Sequence, residues 1–452
     1  MDFTPSPRAA DLTARVREFV DSRVLPVEEE LTRARLANPS TPSSRWPVPP
    51  QIRDLQRQAR DQGLWNLFLP AGHEGPYAQR YGTDGGAGLT NLDYAPVAEQ
   101  MGRSFIAPLV FNSNAPDTGN MEVLLKYGSQ EQKDTWLDPL LDGRIRSAFL
   151  MTEPGEASSD ATNMAATAVL DGDEVVLNGK KWWSTGVGSA ECAVGIYMGV
   201  TDAGADKHHR HSMVLVPLDA PGVRIDRVLT SLGHYDEPLG HGEVTLANVR
   251  LPASSIIGGP GRAFEIAQGR LGPGRVHHTM RLIGLAERAL DLACARAVER
   301  VAFGKPLADL GGNRERLAKA RIAINQSRLH VLHAAWKLDT VGIRGALSEV
   351  SEIKAAVPQM ACDVIDLAMQ LHGGGGVGPD FPLAEAYAGA RSLRLADGPD
   401  EVHLGVVARL LLKPYREAYS APTRASAGTP AGTPTGASAG TPADTSTSGG
   451  AR

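Results

Sequence analysis

Residues 165–185 read AATAVLDGDEVVLNGKKWWST. Three short β-prone runs (AATAVL, EVVL, KKWWST) are separated by Asp171-Gly172 and Asn178-Gly179. Such dipeptides between apolar runs signal tight hairpin turns. CAVGIYMGV from Cys192, SMVLVPL from Ser212, GVRIDRVL from Gly222 and GEVTLANVRL from Gly242 continue the texture. The spacing predicts an antiparallel β-barrel or sandwich over residues 146–258.

On either side the apolar period changes from two to about 3.6. Upstream, Leu12, Val16, Phe19 and Val20 share a helical face, and Pro26 is expected to break that helix. After a Pro-rich stretch (NPSTPSSRWPVPP), helices are expected at Pro50 to about Gln62, Asn91–Gly102 and Asp117–Tyr127. This gives an N-terminal α-helical domain over residues 1–145. Downstream, Leu282, Ala286, Ala289, Ala293 and Ala297 form one stripe within Thr279–Arg300. Residues 313–341, 346–372 and 400–415 behave likewise, which predicts a C-terminal four-helix bundle over 259–419. The order is helices, strands, helices rather than βαβα, so a doubly wound dinucleotide fold is a poor candidate. Of residues 420–452, 30 of 33 are Ala, Gly, Pro, Ser or Thr, which predicts a disordered tail.

At 452 residues and 42% hydrophobic content the chain has ample material for several cores. The formal net charge of −5 argues against a nucleic-acid partner. No apolar run reaches the length of a membrane span, and the start, MDFTPSPRAAD, has no charged-then-apolar leader. Three cysteines at wide spacing suit neither a disulfide framework nor a zinc site. The expectation is a cytoplasmic protein without a metal.

Several segments carry chemistry. His208, His209 and His211 cluster in a polar stretch that reads as a solvated loop. His372–Gly378 (HGGGGVG) contains a G-x-G-x-x-G pattern, but it follows a helix and precedes Pro379, the wrong setting for a nucleotide fingerprint. Phe149–Asp160 (FLMTEPGEASSD) is either an ordinary turn or a donor-rich loop suited to an anionic or heteroaromatic ligand. Strand alternation should send Trp182 and Trp183 to opposite faces, one into a core and the other free for a flat ring system. Arg391–His403 (RSLRLADGPDEVH) sets Asp397, Asp400 and Glu401 around a Gly-Pro turn. Asp400 and Glu401 suit a helix N-terminus. Asp397, after Leu395 and Ala396, is expected to face a dry site where desolvation raises its pKa.

Taken together, these segments resemble the acyl-CoA dehydrogenase family over roughly residues 50–415, in that family's order. The carriers are MTEPGEASSD, Asn178-Gly179 with Lys181-x-Trp183-x-Thr185, Arg300-x-x-Phe303-Gly304-Lys305, and Gln370-x-x-Gly373-Gly374. RLADGPDEVH, and ATNM after SSD, are similar to the subfamily that in some relatives is fused to a kinase-like phosphotransferase domain. The resemblance implies an α-domain, a β-barrel and a four-helix bundle that bind FAD, assembled as a dimer of dimers. It implies flavin contacts from Phe149, Met151 and Thr152, with Ser158 touching the flavin or the CoA side. Trp183 and Ser184 would lie beside the isoalloxazine and Thr185 near its N5. Arg300 and Phe303 would meet the FAD diphosphate, Gln370, Gly373 and Gly374 would line the adenosine end with the glycine backbone close to the FAD of a neighbouring subunit, and Glu401 would be a further cofactor contact.

In such enzymes a carboxylate removes the α-proton of an acyl thioester while the β-hydride passes to the flavin, and an electron-transfer flavoprotein takes the electrons. The base, usually Glu, is matched by Asp397, one methylene shorter and so with roughly 1.5 Å less reach. Arg275 and Gly398 match substrate-side positions, and an alternative base position beside that arginine is Gly274, which has no side chain to serve. The Thr after the usual base turn is Pro399, and the segment after Gly304 lacks the usual flavin-contacting Gln. The substrate is expected to be an acyl-CoA or an acyl-carrier thioester. Rival readings are a 4-hydroxy- or 4-phosphoacyl-CoA enzyme, a flavin oxidase or monooxygenase, and a scaffold that keeps the fold without the chemistry.

Overall fold

A computed structural model of the chain describes residues 2–37, 45–69 and 88–420, apart from the side chains of 271–273 and 420. Part of the Pro-rich stretch and the tail from residue 421 lie outside the described residues. Two compact units divide the chain, Met1–Ala408 and Arg409–Arg452, and the site below lies within the first.

The N-terminal domain is helical, as the periodicity implies. Helix Pro7–Phe19 is capped by the Ser6 hydroxyl, which accepts from the Ala9 amide at 3.2 Å. Pro26 does not break the run. A π-turn over Val20–Val24 carries the chain directly into helix Leu25–Ala37, with Pro26 in its first turn. The widened turn directs the Leu25 amide to Val20 O, and the missing Pro amide falls where the ladder is already irregular.

Seven strands form the middle domain: β1 (Arg146–Leu150), β2 (Thr167–Asp171), β3 (Glu174–Thr185), β4 (Cys192–Val200), β5 (His211–Pro217), β6 (Val223–Leu229) and β7 (His241–Pro252). They lie in the order β1-β4-β2-β3-β7-β6, with β5 on β4. The sheet is not wholly antiparallel. β1 runs parallel to β4, Phe149 facing Ile196, because the β2–β3 hairpin between them supplies the crossover that parallel pairing needs. Asp171-Gly172 is the expected β2–β3 turn, Asp171 pairing with Glu174. Asn178-Gly179 is not a turn: it lies inside β3 at a register shift between Leu177 and Gly179. A Cβ on Gly179 would sit 2.4 Å from the Ala166 Cβ, so the glycine serves close packing.

The C-terminal domain packs three long helices on one another: Ala263–Glu299, Asn313–Gly345 and Leu347–His372. Helix Leu383–Ser392 lies against the third, and a last helix covers Asp400–Ser420. The first bundle helix is 37 residues, about 55 Å of straight rod. It also packs on Asn91–Met101 and Asp117–Tyr127. At the first of these crossings a Cβ on Gly284 would lie 1.9 Å from Glu99 O, so glycine permits backbone contact between the domains. One apolar cluster therefore runs through both helical domains, from Val16 and Leu124 to Ile283 and Ile365. The sheet keeps a core of its own around Val175, Tyr197, Val214 and Val244. Among the described residues no helix is long and apolar enough to cross a membrane.

Candidate active site

Between helices Leu383–Ser392 and Asp400–Ser420 the chain turns through Asp397 (φ +57°) and Gly398 (φ +102°). The turn is clamped from three helices. Lys354 Nζ donates to Leu393 O (2.6 Å) and Gly398 O (3.1 Å). Arg275 Nε and His403 Nε2 donate to Asp397 O at 3.1 and 3.2 Å. With its backbone so held, Asp397 turns its carboxylate toward His278, whose Nε2 lies 3.5 Å from Oδ2. The side chain is 21% exposed.

Desolvation does push the Asp397 pKa upward, as its setting implies, but it does not prevail. His278, Arg270, Arg275 and Lys354 together hold the carboxyl below its ordinary value, so the expected rise is corrected to a fall. The other two carboxylates take different parts. Asp400 is buried and accepts from Arg394 Nε at 2.7 Å, and Glu401 is exposed in the first turn of the last helix.

The first bundle helix supplies most of the cations. Arg270 stacks 4.0 Å over the Phe149 ring, and its Nε donates to Asn120 Oδ1 at 3.1 Å. Arg275, His278 and Arg281 follow on the same helix. Burial holds all three arginines below the usual guanidinium pKa and pushes His278 down to about 4. Gly274 has open space at its Cβ position. Sequence reasoning missed Arg270, His278, Arg281, Lys354 and His403. A signal existed in RLGPGRVHHTMR, where cations recur along one helix.

Arg270 joins this pocket to the loop after β1. There Glu153 accepts from Lys181 Nζ (2.7 Å) and from the amides of Ala165 (2.9 Å) and Ala166 (3.1 Å). Lys181 also donates to Met151 O (2.9 Å) and Met198 O (2.7 Å), and its burial pushes its pKa down to about 8 despite Glu153. Ser158 Oγ accepts from the Glu153 amide at 2.9 Å, so this hydroxyl closes the loop on itself. Thr152 O takes the Trp182 amide at 3.0 Å while the Thr152 side chain is exposed.

Trp183 sits on a second register shift in β3, between Lys181 and Ser184, with φ +51° and 42% exposure. The bulge cancels strand alternation. The two indoles do not diverge to opposite faces but meet edge-on, centroids 6.3 Å apart. Thr185 Oγ1 lies 3.0 Å from His241 Nδ1, and the His241 ring is 5.7 Å from that of Trp183. Ser184 is buried, its hydroxyl unpartnered among the described residues.

The remaining expected contacts lie elsewhere. Arg300 and Phe303 occupy a hairpin beyond the far end of the first bundle helix, Phe303 being 96% exposed. Arg300 is 25 positions from Arg275, about 37 Å along the rod. Gln370, Gly373 and Gly374 are exposed where helix Leu347–His372 ends, and Gly373 (φ +61°) leads into a short helical turn. No strand precedes the glycine run, in keeping with its rejection as a nucleotide fingerprint. His208 and His209 are exposed beside Asp206, but His211 opens β5 and is buried, so the solvated-loop reading fails there; no group of metal-ligating side chains occurs among the described residues.

Three family models match the chain: the acyl-CoA dehydrogenase N-terminal domain over residues 6–144, the middle domain over 148–249 and the C-terminal domain over 261–412. "Probable acyl-CoA dehydrogenase FadE2" of Mycobacterium tuberculosis is 46% identical, covering 93% of this chain and 99% of its own. "Acyl-CoA dehydrogenase family member 11" of Mus musculus is 48% identical over 91% of this chain but only 51% of its own length. The chain thus spans about half the length of the first curated relatives it matches. A solved Mycobacterium abscessus structure assigned to the acyl-CoA dehydrogenases is 63% identical, covers 91% of this chain and all (100%) of its own, and superposes with a TM-score of 0.87.

Proposed function

Because the chain belongs to the acyl-CoA dehydrogenase family, and is an oxidoreductase of that family, we propose that it introduces an α,β double bond into an acyl thioester, with Asp397 as the base. The observation that carries this reading is the clamped Asp397 turn, whose carboxylate is held ionised among Arg270, Arg275, His278 and Lys354.

The flavin-side residues fit FAD. Trp183 offers an exposed indole from a bulge, Thr152 an exposed side chain, and Thr185 a hydroxyl against His241, while Ser184 keeps a buried hydroxyl without a partner among the described residues. FAD bound there would supply the hydride acceptor. The chain's own part is placement and electrostatics. Asp397 accepts the α-proton, for which it must come within about 3 Å directly or through one water. Being ionised at neutral pH, it needs no prior deprotonation. The neighbouring guanidinium groups favour negative charge developing on the thioester as the proton leaves. Arg300, Phe303, Gln370, Gly373 and Gly374 would serve FAD bound mainly by a second copy, which makes the assembly at least a dimer. An electron-transfer flavoprotein is the proposed acceptor of the electrons.

A second reading draws on the surplus of cations. Arg270, Arg275, Arg281 and Lys354 face one site in which Asp397 is the acidic partner common to their shifts. That imbalance suits an acyl group bearing its own anion, such as a 4-phosphoacyl-CoA. Retention of an acidic group at 397 disfavours the oxidase and monooxygenase readings.

Anaerobic bleaching of the bound flavin by plain and 4-phosphorylated acyl-CoAs tests both readings. Asp397→Asn should keep FAD and lose about 10²–10⁴-fold in bleaching rate. Bleaching at the wild-type rate would remove Asp397 as the base.

A further inference from the structure

His278 is joined to the candidate base on one side and to a buried arginine on the other. Arg281 Nη2 lies 3.1 Å from His278 Nδ1, while Arg281 Nη1 donates to Ser113 O at 3.2 Å. A guanidinium can only donate, so Nδ1 must be the acceptor. The neutral ring therefore carries its proton on Nε2, the nitrogen 3.5 Å from Asp397 Oδ2. That separation is at the edge of hydrogen-bonding range, as is common before substrate binding tightens a site.

We infer that Arg281 fixes the His278 tautomer so that His278 acts as a positioning residue, aiming an N–H at the Asp397 carboxylate and holding it ionised and oriented. The inference rests on the assignment of Asp397 as base. It also explains how a short carboxylate can be directed. The Asp397–Gly398 backbone is already gripped by Arg275 and His403 at Asp397 O and by Lys354 at Gly398 O, and His278 pairs with the carboxylate itself.

The charged neighbours fit a neutral ring at 278. Its own helix brings Arg270 and Arg281, the third bundle helix brings Lys354, and only Asp397 opposes them. Around Asp397 stand Arg270, Arg275 and His278 from the first bundle helix, Lys354 from the third and His403 from the last. A positive ring would add to an already cationic set, whereas a neutral donor contributes direction without charge.

The sign of the pH effect follows. A carboxylate that loses a donor holds its proton more tightly, so the acid limb of the rate profile moves to higher pH. The full chain with bound FAD is assayed by anaerobic flavin bleaching across pH. His278→Phe should move the acid limb up by about one pH unit and lower the plateau about tenfold. His278→Gln, whose amide N–H can replace Nε2–H, should return the limb to the wild-type position, while His278→Asn should not. This pair keeps the test alive if the Phe variant fails to fold. An unmoved limb in both Phe and Asn variants, with Asp397→Asn inactive, overturns the role of His278 and leaves the base in place. A Gln variant as shifted as Phe also overturns it, since packing alone would then account for the effect. Asp397→Asn bleaching at the wild-type rate overturns the base and this inference together. Independently of activity, the ¹⁵N spectrum of histidine-labelled protein should show His278 protonated on Nε2, and Arg281→Met should raise the share protonated on Nδ1. A wild-type ring protonated on Nδ1 contradicts the inference.

Discussion

Lys181 shows how much one side chain organises on the flavin side. It is fully buried, and its ammonium has acceptors from two parts of the chain: Met151 O and Glu153 after β1, and Met198 O in β4. Glu153 in turn accepts the amides that start the return toward β2. Removing the cation alone leaves a buried carboxylate uncompensated, a change that typically costs about 3–5 kcal/mol. Lys181→Met should therefore lower stability by about that amount in urea unfolding and weaken FAD retention with it. A variant as stable as the wild type would show that Glu153 finds other partners. Part of this was legible in the sequence, because Glu153-Pro154 and Lys181 both belong to the motifs on which the resemblance rests. Their pairing was not, since 28 positions separate them and only the fold makes them neighbours. The same applies to Asp397. Its place on a turn was readable, but the sign of its pKa shift depends on cations from distant parts of the chain.

At the scale of elements, β3 departs most from what its sequence implies. Asn-Gly is a strong hairpin signal, yet here it is a bulge within a 12-residue strand. Local preference is overridden by packing: Ala166 lies against the Gly179 backbone, and Tyr197 Oη donates to Asn178 O at 2.9 Å. Gly179→Ala should overpack this contact and cost about 1–3 kcal/mol in thermal or urea unfolding. Gly172→Ala, at a true turn with open space around its Cβ position, should cost only about 1 kcal/mol through its positive φ. Equal losses at both sites would mean that conformation, not crowding, governs β3. The first bundle helix was underread for a related reason. Its apolar stripe from Leu282 onward was plain, but the cations of the pocket lie before that stripe begins.

For the whole molecule, the order of helices, strands and helices was legible because each domain keeps one hydrophobic period along its length. Less legible was where the parts of one site end up, since periodicity carries no information about distance between ends. The first bundle helix supplies that measure. Arg275 stands near its start and Arg300 just beyond its end, about 37 Å away on a straight rod. A flavin beside Asp397 and the arginine proposed to pair with its diphosphate are therefore poorly placed to serve one cofactor from one chain.

That separation has a genetic consequence. If each centre takes Asp397 from one chain and Arg300 from another, two defective chains can make one sound centre. Coexpression of Asp397→Asn with Arg300→Glu should give mixed assemblies in which one centre pairs an intact Asp397 with an intact Arg300. Activity should then reappear in the differentially tagged mixture although each variant alone is silent. If both groups served the same chain, every centre would keep one lesion and no mixture would recover.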